Sequence, residues 1–76
     1  MDLDNLIVMA NRIGQFFAAQ PDRAEALAGI ADHVRKFWEP RMRAQLLVAL
    51  DTEAGAGLSE IVAAALTTHR AMLQPS

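Results

Sequence analysis

The residues best suited to binding are concentrated in the central segment Arg35–Arg43. This segment holds four of the seven basic residues, the single tryptophan Trp38, Phe37 and Pro40. Tryptophan and arginine are enriched among the side chains that dominate protein–protein interfaces. Aromatic rings beside arginines also hold nucleic-acid bases by stacking. The segment therefore fits a partner interface, a site for an anionic ligand or nucleic acid, or a helix–helix corner in which Trp38 belongs to the core.

A second aromatic pair, Phe16 and Phe17, precedes Pro21. Phe17 continues the helical spacing set by Ile13, so Phe17 is expected to point inward and Phe16 sideways. A lateral phenylalanine is either the edge of a wide core or a contact patch. We therefore predict that partner contacts are made by Phe37, Trp38, Glu39, Arg41 and Arg43, together with Phe16.

Neither a catalytic residue nor a cofactor-binding or metal-binding residue is predicted. The sequence lacks the GxGxxG, P-loop, HExxH and GxSxG motifs. Gly55 and Gly57 precede a helix without a lysine or a preceding strand, so we interpret them as a flexible connector. His33 and His69 fall on different predicted helices. A metal site needs three or four ligands, and although nearby carboxylates such as Asp32 could complete one, nothing in the spacing demands it. His69 is expected to lie in a core or an interface. The chain has no cysteine, which excludes disulfides and thiolate-bound iron–sulfur clusters.

Composition and periodicity indicate the elements that must position these residues. Alanine contributes 15 of the 76 residues and tyrosine is absent, a composition that favours helix over sheet. Apolar residues recur at helical spacing in four stretches. The predicted fold is all-α, a single domain spanning residues 1–76 that forms a compact bundle of four short amphipathic helices at about 3–19, 22–37, 40–51 and 59–73.

The helix ends follow from a few capping and breaking residues. Asp22 is expected to cap the second helix and Ser59 the fourth, because their side-chain oxygens can accept hydrogen bonds from free backbone N–H groups. Glu39 and Pro40 should end the second helix and begin the third, since proline is tolerated at a first helical position. Both aromatic residues before them are expected to extend the apolar stripe of the second helix.

Size and charge set limits on partners. A chain of 76 residues buries a smaller share of its surface than larger domains, so its stability is marginal and a partner is expected. The net charge of −2 argues against nucleic acid and anionic membranes. No apolar run approaches the ~20 residues of a membrane-spanning helix. The first residues lack the basic region of a signal peptide, and a cytoplasmic location is expected.

Three blocks carry a resemblance to a known family. They are Met9–Phe17 (MANRIGQFF), Pro21–His33 (PDRAEALAGIADH) and Val34–Arg43 (VRKFWEPRMR). The chain resembles the small delta subunits of cytosolic NAD-dependent formate dehydrogenases over nearly its whole length. The run FWEPRMR is the most specific of these signals.

The resemblance implies an accessory subunit without catalytic residues of its own, in a soluble complex that oxidises formate to carbon dioxide and reduces NAD. The bis-pterin molybdenum or tungsten cofactor, the iron–sulfur clusters and FMN are expected on other subunits, with none in this chain. The large (alpha) subunit is the expected partner, and this chain would stabilise it or assist its assembly. One alternative is a maturation factor for metal-cofactor insertion. Another is a free-standing helical regulator that binds nucleic acid.

Overall fold

Helices connected by short segments make up the part of the chain that the computed structural model describes, residues 2–75. The ends of the predicted domain, residues 1 and 76, lie outside that range. In chain order, the elements are α1 (Leu3–Phe17), α2 (Arg23–Phe37), α3 (Pro40–Leu50), a 3₁₀ helix (Glu53–Gly57), α4 (Glu60–Thr68) and α5 (Arg70–Leu73). These residues form a compact globule without strands, so the prediction of an all-α fold is confirmed.

The first two helices begin at aspartates whose carboxylates accept hydrogen bonds from the first helical turn. Asp2 accepts from the backbone N–H of Asn5 at 3.0 Å, and Asp22 accepts from that of Glu25 at 3.2 Å. Each bond satisfies a donor that has no partner within the helix. At its other end α1 stops at Phe17, two residues before the predicted end.

The corner between α2 and α3 separates two adjacent aromatic residues. The helix ends at Phe37, and Trp38 takes an extended conformation (φ −98°, ψ 135°). This change of backbone direction leaves Trp38 buried, with 6% of its surface exposed, while Phe37 is 72% exposed. The expectation that both rings extend the apolar stripe is therefore wrong for Phe37. Pro40 occupies the first turn of α3 as predicted, and Glu39 lies at the N-cap without a side-chain capping bond.

The C-terminal quarter departs further from the prediction of one helix over 59–73. The helix breaks at His69 (φ −111°, ψ 25°), which separates α4 from α5. Two threonines precede the break, and the Thr67 hydroxyl donates to the Ala63 carbonyl at 2.8 Å. β-Branched residues that bond back to the preceding turn weaken or bend a helix. The break therefore occurs without proline or glycine.

The segment before α4 is an ordered 3₁₀ helix rather than the predicted flexible connector. A Cβ atom at Gly55 would lie 2.7 Å from the Ala49 carbonyl oxygen, so glycine permits this close approach. Asn11 on α1 fixes the end of the segment, because its amide donates to the Gly57 carbonyl at 2.9 Å and accepts from the Ser59 N–H at 2.8 Å. The Ser59 hydroxyl makes no capping bond, contrary to expectation.

All five α-helices of the described residues contribute to one apolar core. Gly14 lets α1 approach α4 closely, since a Cβ atom there would lie 2.6 Å from Cγ2 of Val62. Burial of the aliphatic and aromatic side chains supplies the main stabilising term of the fold. The cluster comprises Leu6, Ile7, Ala10, Ala31, Val34, Trp38, Leu46, Leu47, Leu58, Val62, Leu66 and Leu73.

Candidate partner-binding surface

Two of the predicted contact residues hold the α2–α3 corner together. Trp38 belongs to the core, as described above. Arg43 is half-buried, and its guanidinium donates through Nη1 to the Arg35 carbonyl at 3.1 Å near the end of α2. Arginine near a helix C-terminus satisfies carbonyls that have no partner in the helix. Trp38 is therefore largely inaccessible to a partner, and Arg43 is partly covered by the fold.

Phe16 and Phe37 are the most exposed large apolar side chains between residues 2 and 75. Phe16 is 74% exposed and Phe37 is 72% exposed. The expectation that Phe16 points sideways agrees with this exposure. Isolated apolar residues at a surface are ordinary, whereas contiguous ones mark interaction sites. Whether these two phenylalanines form one patch therefore depends on what lies between them.

His33 and Phe17 connect the two exposed phenylalanines in space. The ring centroids of Phe37 and His33 are 4.8 Å apart, and those of His33 and Phe17 are 6.5 Å apart. Phe17 in turn meets Phe16 edge to face, with centroids 5.1 Å apart. These are ordinary separations for interacting aromatic rings. We call these four residues the aromatic row, and it crosses from α1 to α2.

Gly29 on α2 allows the ring of Phe17 to pack closely against that helix. A Cβ atom at this position would lie 2.5 Å from Cε1 of Phe17, so the ring rests directly on the helix backbone. Gly29, His33 and Phe37 follow one another at spacings of four residues, which places them on one helix face. Sequence reasoning missed Gly29 and His33 as parts of a surface, although this spacing was the signal that could have found them.

Arg12 borders a groove next to the aromatic row. The groove has a volume of about 330 Å³ and is lined by Arg12, Ile13, Phe16, Phe17 and His33. Arg12 is exposed. The ion pairs between described side chains involve other cations, namely Arg23 with Glu60, Lys36 with Asp32 and Arg70 with Asp51. The groove thus combines aromatic walls with a guanidinium that no described carboxylate neutralises.

The remaining predicted contacts, Glu39 and Arg41, are exposed. Arg41 lies over a different groove, which it lines with Leu3, Ala44, Gln45 and Val48. Val48 is 63% exposed there. The structure thus brings Phe16 and Phe37 into one row and places Arg41 over another groove. A partner-binding role for the six residues stays a prediction.

Asp51 and Arg70 form an ion pair at the surface. A hydrogen bond from Arg70 lowers the pKa of Asp51, and the carboxylate correspondingly raises the pKa of Arg70. Both groups are exposed to solvent, and such pairs contribute little to stability.

Between residues 2 and 75 no group of three or more His, Cys, Asp or Glu residues could hold a metal ion. None of the helices described is long and apolar enough to cross a membrane.

A comparison with known protein families shows which family the chain belongs to. A family model described as the NADH-dependent formate dehydrogenase delta subunit, FdsD, matches residues 5–66. The chain belongs to this family. The match confirms the resemblance found in the sequence. It includes α2, α3, the aromatic row and all of α1 except its first two residues. Neither the curated proteins nor the solved structures gave a significant match.

Proposed function

We propose that this delta-subunit family member is a non-catalytic accessory subunit of a soluble, cytoplasmic NAD-dependent formate dehydrogenase. In this proposal it docks on the large (alpha) subunit and stabilises that subunit or assists its assembly. Family membership supports the choice of complex. The observation that carries the docking role is the pair of phenylalanines, each more than 70% exposed, on one face of a delta-subunit fold.

The proposal assigns the redox chemistry to the other subunits. The bis-pterin molybdenum or tungsten cofactor, the iron–sulfur clusters and FMN belong there, and this chain contributes no ligand to them. A sequence without cysteine cannot supply the thiolates that usually hold iron–sulfur clusters. In this proposal the chain contributes a helical domain whose exposed aromatic row can pack against another subunit.

Physical chemistry supports a docking role for that face. Removing a large aromatic side chain from water contributes about 1.5–3 kcal/mol, so two such side chains supply a useful share of a protein–protein interaction. Docking would also stabilise this small fold by mass action, because a partner that binds only the folded state shifts the equilibrium toward it. Stabilisation of the two subunits would then be mutual.

The test is co-expression of a tagged version of this chain with the other subunits, followed by purification through the tag. We expect the large subunit to be retained in a fixed ratio, with formate-dependent NAD reduction in the purified material. Expression without this chain should lower the yield of the intact complex. If the tagged chain retains no other subunit and its omission changes neither yield nor activity, the proposal is wrong.

The same preparation separates a subunit from a maturation factor. A subunit remains in the active complex at a fixed ratio. A maturation factor is missing from the active complex, yet its omission lowers the metal-cofactor content. Quantitative mass spectrometry and metal analysis of one sample therefore distinguish the two roles.

A further inference from the structure

The groove between α1 and α2 is complementary to a particular kind of protein segment. Its lining contains rings from the aromatic row and the guanidinium of Arg12, but no aspartate or glutamate. Buried aromatic anchors dominate binding energy in protein interfaces. An arginine in the same site selects a carboxylate, with which it can form two parallel hydrogen bonds. The complementary ligand therefore carries a large apolar side chain next to an acidic one.

We propose that this groove is the docking site for an acidic segment of the partner subunit. Apolar side chains of that segment pack against Phe16 in the groove and against Phe37 at the other end of the aromatic row, and a neighbouring Asp or Glu pairs with Arg12. This inference rests on the proposed function, because it requires a partner subunit. It adds the surface, the role of Arg12 and the chemistry of the occupant.

The charge distribution argues against a second copy of this chain as the occupant. A twofold-symmetric dimer places the same patch of both copies face to face. Each Arg12 would then meet a groove whose lining has no carboxylate and contains another Arg12. A partner of different sequence avoids this repulsion.

The basic residues of the central segment are poorly placed for nucleic acid. Lys36 pairs with Asp32 at 3.1 Å. Arg35 donates to the Met72 carbonyl at 3.2 Å, and Arg43 donates to the carbonyl of Arg35. Three of the four basic side chains of this segment are therefore held by contacts within the fold. Together with the net charge of −2, this favours a protein partner over a polyanion.

Arg41 is one of the six predicted contacts, but the proposed docking site does not include the groove beneath it, so this groove provides a control surface. It contains aliphatic side chains and no aromatic ring. Val48 in that groove is exposed to a similar degree as Phe16 and Phe37. Replacing Val48 by serine therefore removes an exposed apolar side chain without touching the aromatic row.

The experiment measures the affinity of this chain for the formate dehydrogenase complex that lacks it. The variants are the double change Phe16→Ser with Phe37→Ser, the control Val48→Ser, and Arg12→Gln with its charge-preserving counterpart Arg12→Lys. We expect the double variant to bind at least about tenfold more weakly and the Val48 variant to bind like the wild type. Arg12→Gln should weaken binding and make it less sensitive to NaCl, whereas Arg12→Lys should keep most of both.

Each contrary result identifies what is wrong. Wild-type affinity of the double variant, with circular dichroism showing a folded chain, overturns the groove as the docking site but leaves the proposed function standing. An unchanged salt dependence for Arg12→Gln overturns the acidic partner segment. A dimer of the isolated chain that the double variant dissociates would assign the groove to a second copy. Failure of the wild-type chain to bind the complex at all refutes the proposed function itself.

Discussion

Substitutions at the adjacent residues Trp38 and Phe37 should differ greatly in how much stability they remove. Trp38 is 6% exposed and belongs to the core, so Trp38→Ala should cost about 3–5 kcal/mol through lost burial and the cavity left behind. A folded domain has about 0.05–0.15 kcal/mol of stability per residue, which gives about 4–11 kcal/mol for this chain. The substitution therefore removes a large part of the free energy of unfolding.

Phe37 is 72% exposed, and its ring lies beside that of His33 with the centroids 4.8 Å apart. An aromatic pair of this kind contributes at most about 0.5–1.5 kcal/mol. Alanine has the higher helix propensity at this position, which offsets part of that loss. We therefore expect Phe37→Ala to change the free energy of unfolding by less than about 1 kcal/mol.

Urea denaturation followed by far-UV circular dichroism measures both values. Trp38→Phe is the matched control, because it retains an aromatic ring and should lose less stability than Trp38→Ala. Comparable losses for the Trp38→Ala and Phe37→Ala variants would refute the extended geometry of the α2–α3 corner. The comparison also shows why Trp38→Ala cannot test docking, since weaker binding would reflect unfolding.

Three further substitutions test contacts elsewhere in the fold. Asn11→Ala should lower the free energy of unfolding by about 1–3 kcal/mol, because it removes the hydrogen bonds to backbone groups between the 3₁₀ helix and α4. Gln15→Ala, at an exposed position, should lower it far less in the same urea titration. Gly14→Ala should destabilise the chain by about 1–3 kcal/mol despite alanine's helix propensity, because its Cβ would collide with α4. An unchanged melting temperature would contradict the close approach of α1 to α4. Arg70 lowers the pKa of Asp51, so the pair stabilises the fold above the usual carboxyl pKa of 3.8 and loses this effect as the pH falls through the lowered pKa. Melting temperatures of Asp51→Asn and wild type should therefore differ slightly at neutral pH and converge in acid.

Much of the fold follows from local signals in the sequence. Aspartate caps and helical periodicity indicate where α1 and α2 begin, and Pro40 marks the start of α3. The break at His69 was not predictable in the same way, because threonines that bond back to the helix are weaker signals than proline or glycine. The 3₁₀ helix depends on a close approach between backbone segments that only the packed chain contains.

The candidate surface was only partly predictable. Helical spacing predicted that Phe16 points sideways, and Phe16 is exposed. Phe17, which was expected to point inward, is half-buried against α2 and lies outside the core cluster. Helical spacing failed at Phe37 because one extended residue, Trp38, redirects the chain immediately after the helix. Phe16 and Phe37 belong to one row only because of the way α1 packs against α2. Gly29 permits this packing, since it leaves room for the ring of Phe17. Periodicity within one helix carries no information about that crossing.

The measurement that tests the central claim most directly is the subunit composition of active formate dehydrogenase purified from cells that express this chain at its natural level. Native mass spectrometry of the intact complex reports whether the chain is present and in what ratio to the large subunit. The proposed function predicts a fixed ratio that survives purification to full activity. Fully active, cofactor-loaded complex without this chain would contradict its assignment as an accessory subunit.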